Sequence, residues 1–418
     1  MRILIHDYAG HPFQVQLSRQ LAKVGHEVLH LYSGSINTPR GALNKNDADP
    51  VGFNIRPIFL DQEIKKYSFV SRFRQESEYG RKLAAEISSS RPDVVLTANT
   101  PSLVLQSLVK ACRRTGCRLV SWIQDLYGLA AYRILKKKLP GIGHLAGRYF
   151  MRLDRQACLA SDQVVVISED FKDVLAQQGV PDDKIHVVHN WAPLEELPLR
   201  SRDNEWSLKL GLTKEVRFLY SGTLSIRHNP DLLLQLGIHL DQLGRGELTV
   251  VSQGEGAEWL KSRVAEHGVQ SIRILPFQPF EEMPNVFGSA DVLIGILEPE
   301  AGVFCVPSKM LSYMCAQRAL LAAIPKENLS ARIIEGNSAG LVVDPRDSAA
   351  FVQAADELAT SSSLRLKMGL AARNYAETHF DIERICDRFE QLLGGATEPH
   401  SADRLVRQSI DRIERIGA

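Results

Sequence analysis

Short apolar runs alternate with amphipathic stretches from the start of this chain. Arg2–His6 reads as a buried strand, Phe13–Val24 as an amphipathic helix and Glu27–Tyr32 as a second strand. Asp93–Thr97, Arg118–Ile123 and Gln163–Ile167 are further strand-length runs, and Leu103–Thr115 and Ser168–Gln178 carry the helical period between them. Strands alternating with helices of this length predict βαβ units and a parallel sheet. The pattern breaks at residues 191–206, WAPLEELPLRSRDNEW, where Pro193, Pro198 and a charge cluster predict a linker. It then resumes, with strands expected at Arg217–Tyr220, Glu247–Val251, Ile272–Leu275, Val292–Ile296, Ala319–Ala323 and Gly340–Val343. The expectation is an α/β protein of two doubly wound, Rossmann-like domains joined by a Pro-rich hinge. Open sheets of this kind bind ligands at the carboxyl ends of their strands, here in the cleft between the domains.

Length supports the division, because 418 residues exceed one ordinary hydrophobic core. A composition of 44% hydrophobic and 24% charged residues is that of a globular chain. The net charge of +1 hides an asymmetry: residues 1–200 hold 27 Lys and Arg against 20 Asp and Glu, and the remainder 23 against 29. A basic first half and an acidic second half imply different ligands for the two domains. The six cysteines, at 112, 117, 158, 305, 315 and 386, form no CxxC and pair with no histidine, which argues against zinc or a disulfide framework. Met1 runs straight into a strand and no apolar run reaches about 18 residues, so a cytosolic chain without a signal peptide or spanning segment is expected.

Residues 218–236, FLYSGTLSIRHNPDLLLQL, carry the strongest chemical signal. A strand meets a turn at Gly222, a basic Arg227-His228 pair follows, and Asn229-Pro230-Asp231 opens a Leu-rich helix. A strand feeding a Gly turn and a helix start presents backbone N–H groups to an anion, and a guanidinium there suits a phosphate. An ordinary strand–loop–helix with a surface Arg is the competing explanation.

Several stretches, in order, resemble a known family. They are RQLAKVGHEV after the opening strand, HVVHNW at 186–191, YSGTLSIRHNP at 220–230 and VSQGEG at 251–256. LPFQPFEEMPNVFGSADVLI at 275–294 and VPSKMLSYM at 306–314 complete the set. Over roughly residues 1–395 the chain resembles retaining glycosyltransferases of the GT-B fold and family 4 type, of the kind that build bacterial exopolysaccharide, O-antigen or capsule. The resemblance implies an acceptor-binding domain at 1–195 and a nucleotide-sugar-binding domain at 196–375. A helix at 376–395 would pack back on the first domain. A tail follows at 396–418, with a weak helical stripe of Leu405, Ile410, Ile413 and Ile416.

The resemblance also implies a nucleoside-diphosphate sugar as donor, with UDP favoured, no cofactor and no obligatory metal. The sugar would be a hexose or acetamidohexose and the acceptor a lipid-linked saccharide. Negative charge grows on the departing phosphate, so preorganised cations would stabilise the transition state above the ground state. Arg227 is the first candidate, with Gly222, Thr223 and His228 around it.

The chain departs from the family at two places. Thr223 stands where many relatives have an Arg, and Phe304 and Ser312 fall where a Glu-x7-Glu pair is common. Lys309, beside Ser308 in VPSK, is therefore expected to supply the second cation, or else is a solvated helix-start lysine. Glu298 and Glu300 are placed to contact donor hydroxyls or to form a plain acidic loop. Pro276 and Phe277 fall where the family cradles the nucleobase, and the Gly254 turn shapes that wall. The latter is no dinucleotide fingerprint, because Trp259 replaces its third glycine.

In the first domain the resemblance assigns Gly10 to a loop near the donor phosphate, and Asn190, at the hinge, to the donor. His11 and Gln14 are acceptor-side candidates, although His11 equally suits a helix cap. Asp125 follows a strand where relatives often have a His; it would orient the acceptor or steady charge on the sugar, or cap the next segment. Retention suggests a nucleophilic carboxylate, yet none is convincing. A front-face route, in which the leaving phosphate takes the acceptor's proton, suits a phosphate-rich site. Asp47-Ala48-Asp49 is formally a DxD but lies in a polar loop and is not expected to hold a metal.

Residues 132–155 interleave Lys136, Lys137, Lys138, Arg148, Arg152 and Arg155 with Leu, Ile and Phe. Residues 65–74 repeat the theme with Lys65, Lys66, Arg72, Arg74, Tyr67, Phe69 and Phe73. Such stretches suit an anionic membrane surface or are solvated helix faces. No nucleic-acid recognition motif accompanies them. Together these features describe a peripheral enzyme on the inner face of the plasma membrane. A sugar-nucleotide epimerase of the same fold and a non-catalytic sugar-nucleotide-binding partner are the alternatives.

Overall fold

The computed structural model describes residues 1–36, 41–61, 69–302 and 305–394, with the side chains of residues 69–72, 227 and 301 outside the description. The tail at 396–418, Phe304, and Lys65, Lys66 and Tyr67 therefore lie outside the described residues, as do the side chains of Phe69 and Arg72.

Two parallel sheets form the frame, one of seven strands and one of six. The first contains β1 (Arg2–Asp7), β2 (Glu27–Ser33), β3 (Phe53–Ile58), β4 (Val94–Ala98), β5 (Arg118–Ile123), β6 (Gln163–Val166) and β7 (Ile185–Val187). Its order is β3-β2-β1-β4-β5-β6-β7. The second contains β8 (Val216–Ser221), β9 (Gly246–Val251), β10 (Ile272–Leu275), β11 (Val292–Ile296), β12 (Ala319–Ala323) and β13 (Gly340–Val343), in the order β10-β9-β8-β11-β12-β13. The doubly wound α/β expectation holds. In each sheet the strand order reverses once, between β1 and β4 and between β8 and β11, which marks the crevice where such sheets take ligands.

Helices α1 (Pro12–Lys23), α2 (Phe69–Ser90), α3 (Ser102–Thr115), α4 (Tyr127–Lys138), α5 (Ile142–Ala160) and α6 (Glu169–Gln177) cover the first sheet. After the short α7 (Glu205–Lys209), the second sheet carries α8 (Asp231–Leu243), α9 (Glu255–His267), α10 (Met283–Gly288), α11 (Ser308–Met314) and α12 (Leu329–Gly336). Then come α13 (Ser348–Thr360), α14 (Ser362–His379) and α15 (Ile382–Gly394).

The helix α15 lies against α1, back on the first domain. Phe389 from α15 meets Trp122 of β5 at 4.7 Å between ring centroids, and Trp122 stacks on Trp191 at 5.6 Å. Arg118 donates to the Leu393 carbonyl at 2.6 Å and His26 Nε2 meets Glu390 at 2.9 Å. The segment expected as a bare linker is packed: Trp191, Ala192, Leu197 and Trp206 are buried. It also ends in a capping box, Asn204 with Ser207, that starts α7.

The basic stretch 132–155 spans two helices. Leu139–Gly141 turns the chain between α4 and α5, which pack closely because Gly147 faces the Tyr132 backbone, where a Cβ would stand 2.6 Å from its Cα. Among the described residues no helix is long and apolar enough to cross a membrane.

Candidate functional site

The cleft is floored by the carboxyl ends of strands from both sheets. On the second-domain side, β8 ends at Ser221 and the chain turns at Gly222 with φ +127°, a conformation that favours glycine. Two tyrosines fix this turn. Tyr220 Oη donates to the Thr223 carbonyl at 2.8 Å, and Tyr313 Oη, from α11, donates to the Ser221 carbonyl at 2.9 Å while accepting from the Ser221 N–H at 2.8 Å.

Lys309 reaches the same turn from α11. Its ammonium donates to Tyr220 Oη at 2.8 Å and stands 4.0 Å from the Tyr220 ring centroid. A Cβ on Gly222 would stand 2.9 Å from Lys309 Nζ. Loss of solvation pulls the ammonium down to about 7, and no described carboxylate raises it again. Such a cation, half-buried and without a counter-ion among the described residues, gains most from an incoming anion.

Arg227 sits in the one-turn 3-10 segment Ile226–His228 that follows the turn, and its side chain lies outside the described residues. His228 closes this segment by accepting from the Ser225 N–H at 3.2 Å. Burial, together with the charge of Lys309, drives His228 down to about 4, so it is neutral near pH 7 and not half of a cationic pair. Thr223 is exposed, with its carbonyl taken by Tyr220.

The turn at Gly254 (φ +114°) starts α9 and sets the next wall. The Gly256 N–H donates to the Leu224 carbonyl at 3.0 Å, and a Cβ there would come within 2.7 Å of that oxygen. Glycine thus lets α9 abut the loop that holds Arg227. Pro276 and Phe277 follow β10, the first exposed and the second half-buried. Glu298 and Glu300 lie in the loop after β11, and Ser308 is the first residue of α11.

The first-domain side is built differently. Asp7, the last residue of β1, is fully buried and accepts from the Ala9 N–H at 3.0 Å, from the His11 N–H, and from His11 Nδ1 at 3.3 Å. Burial is the largest influence on Asp7 and raises it, yet His11, His30 and the Ala9 N–H together hold it below the usual carboxylate range. Burial likewise opposes the charge on His11, but the charge and hydrogen bond of Asp7, with the charge of Asp125, leave it above the ordinary histidine value. His11 stands at the start of α1, and its ring makes no capping hydrogen bond there.

Asn99, in the left-handed region at the end of β4 (φ +52°), holds its amide 3.3 and 3.5 Å from the two His11 ring nitrogens. Tyr127 Oη donates to Asn99 Oδ1 at 3.3 Å. Asp125 follows β5 and forms an antiparallel backbone bridge with Cys305, four residues before Lys309. Burial raises Asp125 to about 6 against the pull of His11. Gly10 immediately precedes His11, and its carbonyl accepts from the Gly41 N–H at 3.3 Å.

Gln14 is fully buried, with both amide atoms unpartnered among the described residues, and Asn190 Oδ1 is likewise unpartnered. Groups of this kind call for a partner that the fold does not supply. The two sides also touch across the cleft, through Asp125 with Cys305, Arg133 with the Glu300 carbonyl at 3.4 Å, and Arg332 with Asp170 at 3.3 Å. Asp49 of the DxD loop is taken by Arg19 Nε at 2.7 Å, and no metal-holding cluster occurs among the described residues.

The structure therefore brings Gly222, Lys309, Ser308 and Gly254 together on one side, and Gly10, His11 and Asp125 on the other. Sequence reasoning missed four contributors. Asp7 and Asn99 each follow an apolar run at a strand's end, a usable signal. Tyr220 and Tyr313 look like ordinary core aromatics until the turn is seen.

Residues 14–196 match Glycosyltransferase Family 4, and residues 215–361 match Glycosyl transferases group 1. A probable glycosyltransferase of Pseudomonas aeruginosa, WbjE, is 24% identical over 309 residues, covering 72% of this chain and 76% of that protein. Among solved structures, sucrose-phosphate synthase from Thermosynechococcus elongatus superposes with a TM-score of 0.72 at 15% identity, covering 94% of this chain and 98% of that one. Anabaena HepE, solved with UDP and glucose, superposes with a TM-score of 0.69 at 13% identity, covering 94% and 99%. Two family matches, placed on the two sheets in order, agree with the fold and the turn. The chain belongs to the GT-B glycosyltransferases, with a first domain of the family 4 type.

Proposed function

We propose that this glycosyltransferase moves a hexose or acetamidohexose from a nucleoside-diphosphate sugar, UDP favoured, to a lipid-linked saccharide. The transfer proceeds with retention and serves the assembly of a surface polysaccharide. One observation carries the donor side of this reading. Lys309 lies against the Gly222 turn with its charge uncompensated by any described carboxylate, and a pyrophosphate entering there restores full protonation. HepE, of the same fold, was solved with UDP and glucose, which supports a uridine nucleotide here. Gly10, Asn190, Thr223, His228, Gly254, Pro276, Phe277, Glu300 and Ser308 surround the donor in this reading. Arg227 joins Lys309 on the phosphates, and no cofactor or metal is required.

The lipid-linked acceptor draws support from the tip of α4 and α5. Leu139, Ile142, Leu145 and Tyr149 are 51, 74, 69 and 51% exposed there, beside the exposed Lys136, Lys137, Lys138, Arg148 and Arg152. Apolar side chains ringed by cations fit the inner face of a membrane, each cation contributing about 1 kcal/mol near anionic lipid. Phe73 and Arg74, from the second basic–apolar stretch, are also exposed.

Incubation with UDP- and GDP-sugars, with and without membrane lipid extract, tests the proposal by nucleotide release. Release that requires the extract supports transfer. Release without any acceptor indicates an epimerase, and binding without turnover a non-catalytic partner.

A further inference from the structure

We propose that a cavity beneath the hinge binds a linear polyamine, at a site separate from the cleft. The cavity encloses about 840 Å³, within the range of small-molecule sites. It lies where β2 and β3 begin, at Glu27 and Gly52, whereas the cleft lies where strands end. A six-residue strand sets these two ends about 20 Å apart. Both connections between the domains reach the cavity. Glu195 and Glu196 come from the 3-10 turn Leu194–Glu196 of the outgoing chain, and Ile382 is the first residue of the returning helix α15. The C-terminal half of α1 forms the facing wall.

The charges of the wall set the class of ligand. Arg19 is taken by Asp49 at 2.7 Å and His26 by Glu390 at 2.9 Å. What remains is Lys23, exposed at the rim, against Glu27, Glu195 and Glu196, whose carboxylates have no ion pair or hydrogen bond among the described residues. Burial raises the Glu196 carboxyl above its ordinary value. Arg19 opposes this, and the charges of Glu195 and of Glu281, from the second domain, add to it. An ammonium placed there supplies the countercharge that Glu196 lacks. Gln20 gives an independent signal: it is 9% exposed, lines the cavity, and its amide has no partner among the described residues. Its oxygen is an acceptor for an N–H donor. No group of His, Cys, Asp and Glu among the described residues is arranged to hold a metal ion, and the cavity far exceeds the size of one. Carboxylates contributed by β2 and by the hinge match a flexible chain with an ammonium at each end. A ligand that touches both domain connections at once stiffens the hinge.

Calorimetric titration of the full chain with spermidine tests the site, with Mg²⁺ as the competing probe and thermal melts to confirm folding of each variant. One spermidine should bind per chain, and an equal concentration of Mg²⁺ should not displace it. The double substitution Glu195→Gln with Glu196→Gln should weaken binding at least about tenfold, the smallest effect expected of a charged hydrogen bond. Gln20→Leu, which leaves the net charge alone, should weaken it about two- to tenfold. Amide hydrogen exchange should slow in residues 191–206 and at the start of α15 when spermidine binds. The site is independent of the cleft, so a failure of sugar transfer leaves it standing. No saturable binding below about 1 mM, or equal affinity in the folded double variant, overturns the proposal. Displacement by an equal concentration of Mg²⁺, or protection confined to other segments, overturns it as well.

Discussion

His228 and His11 stand on opposite sides of one cleft and are pushed in opposite directions. His228, beside Lys309, falls to about 4, whereas His11, beside Asp7 and Asp125, is raised. Both rings suffer burial, so the difference is the field of their neighbours. The second domain presents a cation with no described carboxylate near it, which suits a ligand that brings its own negative charge. On the first domain Asp7 and Asp125 hold His11 toward its protonated form. Among the described residues no carboxylate raises Lys309 on one side, whereas two act on His11 on the other.

Removing the second-domain charge should break this contrast most severely. Lys309→Ala is expected to lower turnover about 10²- to 10³-fold, the cost of losing one preorganised donor to developing charge, and to weaken UDP binding in calorimetry. The wild-type affinity should itself weaken as pH rises above about 7, because the ammonium gives up its proton there. His228 should move upward in an NMR titration of Lys309→Ala, since one of the two influences depressing it is gone.

Gly222→Ala should come next. The new Cβ would stand 2.9 Å from Lys309 Nζ at a φ of +127°. A stability loss of about 1–3 kcal/mol is expected from the backbone alone, together with weaker UDP binding, as read by urea denaturation and calorimetry.

Further from the cleft, His6 and His30 are fully buried and held near 3 and near 4, chiefly by desolvation. The unfolded chain takes up protons at these residues below 6.5, and the folded chain does so only near those lower values. Stability is therefore fully present above about 6.5 and declines as pH falls toward 3, by up to about 1.4 kcal/mol per pH unit for each group. Urea midpoints at pH 7 and pH 5 should show the loss, and His30→Gln should reduce it. Neutralising Lys136, Lys137 and Lys138 should leave the cleft untouched and act only at the membrane surface. Partition onto anionic liposomes should fall by about 1 kcal/mol per charge, with activity on a soluble acceptor unchanged.

How far the sequence carried depended on burial. Val292–Ile296 and Ala319–Ala323 are buried at every position and read as strands with correct limits. The strand β3 went unread because it is an edge: FNIRPI is half-exposed and carries Pro57, which weakens any strand signal. The linker hid its structure for another reason. Trp191 and Trp206 are buried by contacts distant in sequence, including Phe389, which no local period announces.

The same limit applied to the site. The Gly222 turn was visible as a local motif; Lys309, 87 positions away, was named only through the family resemblance, because no local period shows that α11 packs against the end of β8. Asp7 was passed over although it lies four residues before His11, because a charge at the end of a buried strand resembles a simple exit to solvent. The fold instead keeps it wholly buried.

The most direct measurement compares UDP and uridine binding to wild type and to Lys309→Ala at pH 6.5, with thermal melts confirming that both proteins are folded. If Lys309 receives the donor's pyrophosphate, the substitution weakens UDP at least about tenfold, the smallest effect expected of a charged hydrogen bond, and leaves uridine unchanged. Equal UDP affinity in the two folded proteins would contradict the account.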